Sequence, residues 1–115
     1  MKNSTKLLVV AAVTVAMVMI AGCPTQTTVS KIQQDPHHFY NKEVALRGNV
    51  TESYGALGTG VYQLDDGTGK IWILSENYGV PSKGAHVTVT GDVVETISFA
   101  GKSFATALRQ TRRRD

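Results

Sequence analysis

The side chains of this sequence that could carry acid–base or metal chemistry are few, and their spacing does not suit a catalytic site. Asp65 and Asp66 are paired carboxylates, the type used in general acid and base catalysis. They stand in an Asp-Asp-Gly-Thr-Gly run, where aspartates most often bond the backbone of a turn. His37 and His38 are adjacent, and only Asp35 is a nearby carboxylate, so a metal site would need distant ligands. We expect capping or solvated roles, with no metal and no cofactor.

Two Gly-Lys pairs and one glycine-rich stretch resemble parts of nucleotide-binding loops. A phosphate loop has another glycine five positions before the Gly-Lys glycine. Leu64 and Thr96 stand at those positions before Gly69 and Gly101, so both pairs fail. Residues 55–60 are expected to join two strands, with no helix N-terminus to meet a pyrophosphate. No serine lies in a nucleophile-elbow context, and the chain is predicted not to be an enzyme.

Cys23 is the one cysteine of the chain, and the residues before it have the layout of an export signal. Residues 1–6 form a basic head, residues 7–20 are apolar and uncharged, and two small residues follow. A membrane-spanning helix needs about 20 apolar residues, more than this run supplies, and Pro24 prevents its extension. A secretory signal is therefore favoured over a transmembrane anchor.

The sequence Ile20-Ala21-Gly22-Cys23 resembles the lipobox of bacterial lipoproteins. The resemblance implies cleavage before Cys23 and attachment of lipid, such as palmitate, to the new N-terminus. The alternative is ordinary cleavage nearby that leaves an unused thiol, although a lone cysteine in an exported protein calls for a special role. Two or three acyl chains would hold the protein on a membrane, since one chain binds only marginally. The residue after the cysteine is Pro24, whereas an aspartate there would resemble an inner-membrane retention signal. We therefore expect the outer membrane if the source is Gram-negative.

Removal of residues 1–22 changes the charge of the molecule. The full chain has 12 Lys and Arg against nine Asp and Glu side chains, and two lysines leave with the signal. The remaining domain is nearly neutral and has no basic stripe of the kind that marks a nucleic-acid surface. We expect a polar tether over residues 23–28, a domain over 29–110 and a frayed basic tail over 111–115. The arginines of that tail could meet anionic lipid or nucleic acid.

The hydrophobic pattern predicts one short helix followed by strands. Residues 29–41 have helical spacing, with Ser30 as a candidate cap and a break at Asp35-Pro36. Alternation of apolar and polar residues then predicts five strands, of which the second and third form a hairpin around Asp65-Asp66-Gly67-Thr68-Gly69. Glycines at the middle of the first and fourth strands, Gly48 and Gly91, indicate bulges or sharp bends. This pattern is typical of a small all-β barrel.

Three stretches carry a resemblance to the bacterial OB-fold families: residues 44–50, residues 62–73 and residues 87–91. They match three features of those families. The first strand has a central glycine, the next hairpin contains an aromatic residue, aspartate and a Thr-Gly pair, and the fourth strand ends in Thr-Gly. The resemblance covers residues 29–108 and extends to periplasmic OB-fold proteins and anticodon-binding-type modules. It implies a five-stranded OB-type barrel. Residues 76–84 depart from it, because they are too rich in glycine and proline for the helix often found there.

OB barrels commonly bind ligands on the outer face of strands two and three and on two loops. Ile71 and Ile73 should face the core, which directs Trp72 outward, where a flat ring could stack on a base or a sugar. The alternative is that the N-terminal helix covers this ring. The candidate binding residues are Trp72, Tyr54, Arg47, Lys70, Phe99 and Lys102.

The sequence thus predicts a lipid-anchored, non-enzymatic binding module of the cell envelope, with a protein, glycan or small molecule as its partner. A single-stranded nucleic-acid-binding protein is the alternative, on OB-fold precedent and the arginine tail.

Overall fold

The computed structural model describes residues 24–115, so the predicted signal segment and Cys23 lie outside the described residues. Strands dominate this part of the chain, and the helices are short. In chain order the elements are β1 (Thr25–Gln26), α1 (Val29–Gln34), α2 (Pro36–Phe39), β2 (Glu43–Ala56), β3 (Thr59–Asp65), β4 (Lys70–Ser75), β5 (His86–Phe99) and β6 (Lys102–Arg114).

Strands β2 to β6 close into a barrel. The strand order is β1-β2-β3-β4-β6-β5, and a further antiparallel pairing of β2 with β5 joins the two ends of the five long strands. The β4–β6 pairing is parallel, whereas β2–β3, β3–β4 and β5–β6 are antiparallel. The predicted all-β, five-stranded barrel with a short N-terminal helix is therefore confirmed.

Two hydrophobic clusters stabilise the fold. The main cluster fills the barrel with alternate residues of the strands and with Val29 and Ile32 of α1, which are fully buried. A smaller cluster of Val61, Ile97 and Ala107 lies outside the barrel interior and packs against Trp72 and other partly buried side chains. The main cluster consists of Val29, Ile32, Val44, Leu46, Val50, Tyr62, Leu64, Ile71, Ile73, Val87, Val89, Val93 and Leu108.

The two mid-strand glycines lie where backbones approach closely. A Cβ atom at Gly48 would stand 2.3 Å from the carbonyl oxygen of Asp65, and one at Gly91 would stand 2.4 Å from that of Arg109. Gly91 also adjoins a register shift in the β5–β6 pairing. The bulge expected at Gly91 is therefore found, whereas Gly48 pairs regularly with Val87, and at both positions only glycine leaves room for the neighbouring backbone.

The N-terminal segment forms two short helices that are separated at Asp35-Pro36, as the proline predicts. The cap of α1 is Thr28, whose side chain accepts a hydrogen bond from the backbone N–H of Lys31, and not Ser30. Asp66 of the β3–β4 turn reaches across and accepts a hydrogen bond from the N–H of Val29 at 2.9 Å. The helix is thereby fixed to the end of the barrel.

Two expectations for the chain's irregular segments are wrong. Residues 111–114 are not a frayed tail, because Arg112, Arg113 and Arg114 pair with residues 88–90 of β5. The predicted tether contains β1, which pairs in parallel with residues 44 and 45. The glycine-rich stretch of residues 55–60 joins two strands as predicted, and strand pairing within it continues to residues 56 and 59. In each case backbone hydrogen bonding to a neighbouring strand outweighs a polar or glycine-rich composition.

Candidate ligand-binding cleft

Trp72 faces outward, as its alternation with two core isoleucines predicts. Its neighbours Ile71 and Ile73 are buried in the barrel, while Trp72 itself is half-buried on the outer face of β4, opposite Gln63. The N-terminal helices do not cover it. The ring packs instead against Phe104 of β6, with ring centroids 4.7 Å apart.

Two hairpins extend past the closed part of the barrel and flank Trp72. The end of β2 pairs only with β3, up to the pair Ala56–Thr59. The end of β5 pairs only with β6, up to the pair Phe99–Lys102. The outer face of β4 therefore forms the floor between two projecting walls.

An aromatic cleft of about 200 Å³ lies between these walls. Tyr54 of the β2–β3 hairpin stacks towards Trp72, with centroids 6.2 Å apart and ring planes inclined by 27°. Phe99 and Phe104 contribute rings from the β5–β6 hairpin. The cleft is lined by Tyr54, Val61, Trp72, Phe99, Ala100, Lys102 and Phe104.

The electrostatics of the cleft are modest. Lys102 is the cationic side chain among its lining residues and lies at the exposed tip of the β5–β6 hairpin. Tyr54 is 54% exposed, and its hydroxyl donates a hydrogen bond to the carboxylate of Glu52 at 3.3 Å. The opposite charges of Lys102 and Glu52 leave the walls close to neutral, which suits an uncharged ligand better than a polyanion.

Four of the six residues predicted from sequence meet in this cleft: Tyr54, Trp72, Phe99 and Lys102. Arg47 instead points outward from β2 beside Thr88, and Lys70 begins β4, where its carbonyl accepts a hydrogen bond from Gln33. Phe104 was not among the predicted residues. Its position opposite Ile97 across the β5–β6 hairpin is the signal that could have identified it.

The remaining polar candidates have structural roles. Asp65 accepts a hydrogen bond from the N–H of Gly67, and Asp66 accepts from Thr68, so both carboxylates cap the turn as expected. His37 and His38 pack edge-on against Tyr40 and Phe39 respectively. Within residues 24–115, no three His, Cys, Asp or Glu side chains are grouped as metal ligands would be.

The comparison with solved structures shows the architecture. A candidate aspartyl-tRNA synthetase from Leishmania major Friedlin superposes with a TM-score of 0.60 at 13% identity, over 80% of this chain and 20% of that one. An OBody bound to hen egg-white lysozyme gives 0.51 at 15% identity, over 66% of this chain and 82% of the OBody. The domain is an OB-type barrel.

Other comparisons add no closer relationship. A Replication Protein A heterotrimer bound to ssDNA matches with a TM-score of 0.45 at 18% identity, over 63% of this chain and 55% of that one. No family model and no curated protein matches the sequence. The OB-type barrel spans only about a fifth of the synthetase it resembles, and at these identities the likeness concerns the fold alone. Of the helices that the structure describes, none is long and apolar enough to cross a membrane.

Proposed function

We propose that this OB-type barrel is a non-enzymatic binding module that takes one uncharged ring of a glycan in the aromatic cleft. The observation that carries the proposal is the meeting of Tyr54, Trp72, Phe99 and Phe104 on the outer face between two hairpins. Flat aromatic rings offer sugar rings a stacking surface, and OB barrels bind oligosaccharides and oligonucleotides with this face and these loops.

The size of the cleft supports a small binding determinant. Sites for drug-sized ligands enclose about 300 to 1,000 Å³, and this one holds about 200 Å³. A single ring of a longer chain fits such a volume, while the rest of the chain would lie over the hairpins. The polar groups near the rim, Lys102 and the Tyr54 hydroxyl, could then bond the ring substituents.

Single-stranded nucleic acid is the second candidate, because the Trp72 ring could stack on a base and Lys102 could meet one phosphate. Nucleic-acid grooves, however, usually provide a run of cations that follows the backbone. The two candidates differ in salt dependence, since phosphate binding weakens steeply with salt and stacking on a neutral sugar does not.

The test uses Trp72 fluorescence of residues 24–115, a piece that contains every residue of both hydrophobic clusters. Chitotriose and cellotriose serve as neutral probes, and a 15-nucleotide dT strand serves as the polyanion. We expect a sugar to change the emission in the same way at low and at high salt. Binding of dT alone, lost at high salt, would instead support the second candidate.

Matched variants test the cleft itself. Phe99→Ala keeps the Trp72 reporter and should weaken sugar binding by about tenfold or more, because a nucleic-acid base stacked on one aromatic ring gains roughly 1–3 kcal/mol and we expect a sugar ring to gain a similar amount. Tyr78→Ala removes a ring that is 66% exposed and lies outside the cleft, so it should bind like the wild type. Equal affinities for the two variants would refute the cleft assignment.

We further propose that the module is held on the outside of a membrane by lipid on Cys23, as its likeness to the lipobox suggests. Cells fed a clickable fatty acid should label the wild-type chain and not Cys23→Ala. Cys23→Ser, which keeps the size of the side chain, should also stay unlabelled. Equal labelling of all three chains would exclude this anchor while leaving the cleft proposal intact.

A further inference from the structure

Three arginines form a patch on the sheet face made by β2, β5 and β6. Arg47 pairs with Thr88 across β2–β5, and Thr88 pairs with Arg114 across β5–β6. Two residues further along β5, Thr90 pairs with Arg112. All three arginines are exposed, and Thr88 lines both of the shallow depressions that they border.

The guanidinium groups of this arginine patch are not neutralised by the described part of the chain. Salt bridges within residues 24–115 use the other arginines of β6, namely Arg109 with Glu76 and Arg113 with Asp115. Arg113 also lies over the Tyr62 ring at 5.9 Å, on the opposite side of its strand from the patch. Alternation along β6 thus separates a structural arginine from the two exposed ones.

The spacing of the arginine patch is set by the strands that carry it. Neighbouring strands lie about 4.8 Å apart, so the Cα atoms of Arg47 and Arg114 are separated by about 10 Å, and Thr88 occupies the strand between them. Guanidinium groups are suited to bind phosphate oxygens in pairs, and a threonine hydroxyl can supply one more donor.

Two carboxylates share this face but lie at its other end. Glu43 and Asp92 pair with each other four residues along from the Arg47–Thr88 pair, about 13 Å away. The Glu43 carboxylate also accepts a hydrogen bond from Thr111 at 3.0 Å. The positive end of the face is therefore the one formed by Arg47, Thr88 and Arg114.

We propose that the arginine patch binds the phosphate of anionic lipid headgroups. The choice of lipid as the source rests on the proposed Cys23 anchor and on continuity of the sheet. Strand β1 begins two residues after Cys23, and Gln26 lies in the same row of the sheet as Ala45, Thr90 and Arg112. Because β1 runs parallel to β2 and Thr25 pairs with Val44, the chain that follows Cys23 enters this face at its carboxylate end, and the arginine end lies about 10 Å further along the strands from Thr25. The face would rest on the membrane.

Binding of residues 24–115 to vesicles tests the patch without the anchor. We expect stronger binding to phosphatidylcholine vesicles containing phosphatidylglycerol than to phosphatidylcholine alone. Arg47→Gln with Arg114→Gln should weaken it by about thirtyfold, given the usual contribution of two basic residues near an anionic surface. The matched double variant Lys31→Gln with Lys83→Gln, away from the patch, should change it less than about threefold. Equal losses would show that net charge alone acts and would overturn the site.

Geometry is tested by conservative variants. Arg47→Lys with Arg114→Lys keeps the charge but removes the paired donors, and should still weaken binding several-fold. Thr88→Val should weaken it, whereas Thr96→Val, an exposed threonine near the far end of β5, should not. Full binding by the lysine and valine variants would refute a built phosphate site.

Two further probes identify the source of the phosphate. Inorganic phosphate at equal phosphate concentration should compete weakly, and dT should bind less tightly than the vesicles. Tight binding of free phosphate, or of dT through the same arginines, would overturn the lipid assignment. Phe99→Ala should bind vesicles like the wild type, so failure of the cleft proposal and failure of this one are distinguishable.

Discussion

Gln110 of β6 is buried, and its side-chain amide links Tyr62 of β3 to Ser75 of β4. The Tyr62 hydroxyl donates to its Oε1 at 2.6 Å, and its Nε2 donates to the Ser75 hydroxyl at 3.2 Å. Ser75 in turn donates to the carbonyl of Gly79 at 2.6 Å. Burial raises the pKa of Tyr62 far above its ordinary value, although the charge of Arg113 opposes this, so the phenol stays a donor.

Loss of the Tyr62 hydroxyl should therefore be costly. Tyr62→Phe leaves the Gln110 carbonyl buried without its donor, which we expect to lower the free energy of unfolding by about 1–3 kcal/mol. Tyr40→Phe removes a more accessible hydroxyl, 3.3 Å from Thr106, and should cost less than about 1 kcal/mol. Urea unfolding of both variants gives the comparison. Similar small losses would mean that water replaces the phenol.

Asp66 makes stability depend on pH. Burial alone would raise its pKa, but hydrogen bonds from the Thr68 side chain and from three backbone N–H groups outweigh burial and hold the pKa below its ordinary value. The unfolded chain therefore binds this proton more readily, so the contribution is complete above about pH 5 and is lost as the pH falls below about 4.

Asp66→Ala should lower the free energy of unfolding by about 1–2 kcal/mol at pH 7, and by less at pH 3. The matched variant Asp35→Ala removes an aspartate that makes no capping hydrogen bond from its side chain, so its effect should be small at both pH values. Denaturant unfolding of each variant and of the wild type at pH 7 and at pH 3 gives the change in the free energy of unfolding in each case. A loss for Asp66→Ala that does not shrink on acidification would contradict the role of the ionised carboxylate.

The single-residue predictions from sequence succeeded where strand alternation decides them. Trp72 lies between two core isoleucines, and this alone directs its ring outward. Arg47 also points outward but lies on another part of the surface, because alternation gives the face of a strand and not which strands lie side by side. Lys70 shares the outer face of β4 with Trp72 but lies at the start of that strand, beside Gln33 of the N-terminal helix. The meeting of Trp72 with Phe104 depends on how the two hairpins curve, which no local pattern specifies.

Elements were predicted well where a turn signal or a glycine limits the choice. The Asp-Asp-Gly-Thr-Gly turn and the break at Pro36 have the expected roles, and the strand pairing shifts register beside Gly91 as expected of a bulge. At Gly48 the structure shows a close approach to the backbone of Asp65 and no register shift. Strand ends were harder to predict, since β2, β5 and β6 continue for several residues through polar or glycine-rich sequence. Hydrogen bonding to a partner strand determines those ends, and the partner is distant in sequence.

The close approach of β2 to the end of β3 depends on Gly48. Its backbone is not in the left-handed region, so the requirement is steric: a methyl group would meet the carbonyl of Asp65 at 2.3 Å. Gly48→Ala should lower the free energy of unfolding by about 2–3 kcal/mol. Gly67→Ala has free space around it but a φ of +89°, and should cost about 1 kcal/mol. Thermal unfolding of the two variants orders them, and a larger loss for Gly67→Ala would contradict this account.

At the scale of the whole molecule, the barrel and the walls of the cleft are stabilised by separate hydrophobic clusters. The barrel cluster has 13 buried residues, whereas the cluster below the cleft has three, supplemented by half-buried rings. The outer ends of the hairpins also pair with one neighbour instead of two. Local stability follows buried contacts and hydrogen bonding, so the walls should open more readily than the barrel.

Amide hydrogen exchange measured residue by residue tests this division. Amides of residues 96–104, at the outer end of the β5–β6 hairpin, should exchange at least about a hundredfold faster than those of residues 44–48 and 87–91, where β2 and β5 pair inside the barrel. A sugar bound in the cleft should slow exchange at the hairpin end and leave the barrel unchanged, because it touches Phe99 and Phe104 but not the core. Equal protection of both regions from exchange would contradict this division and would show that the walls of the cleft are as rigid as the barrel.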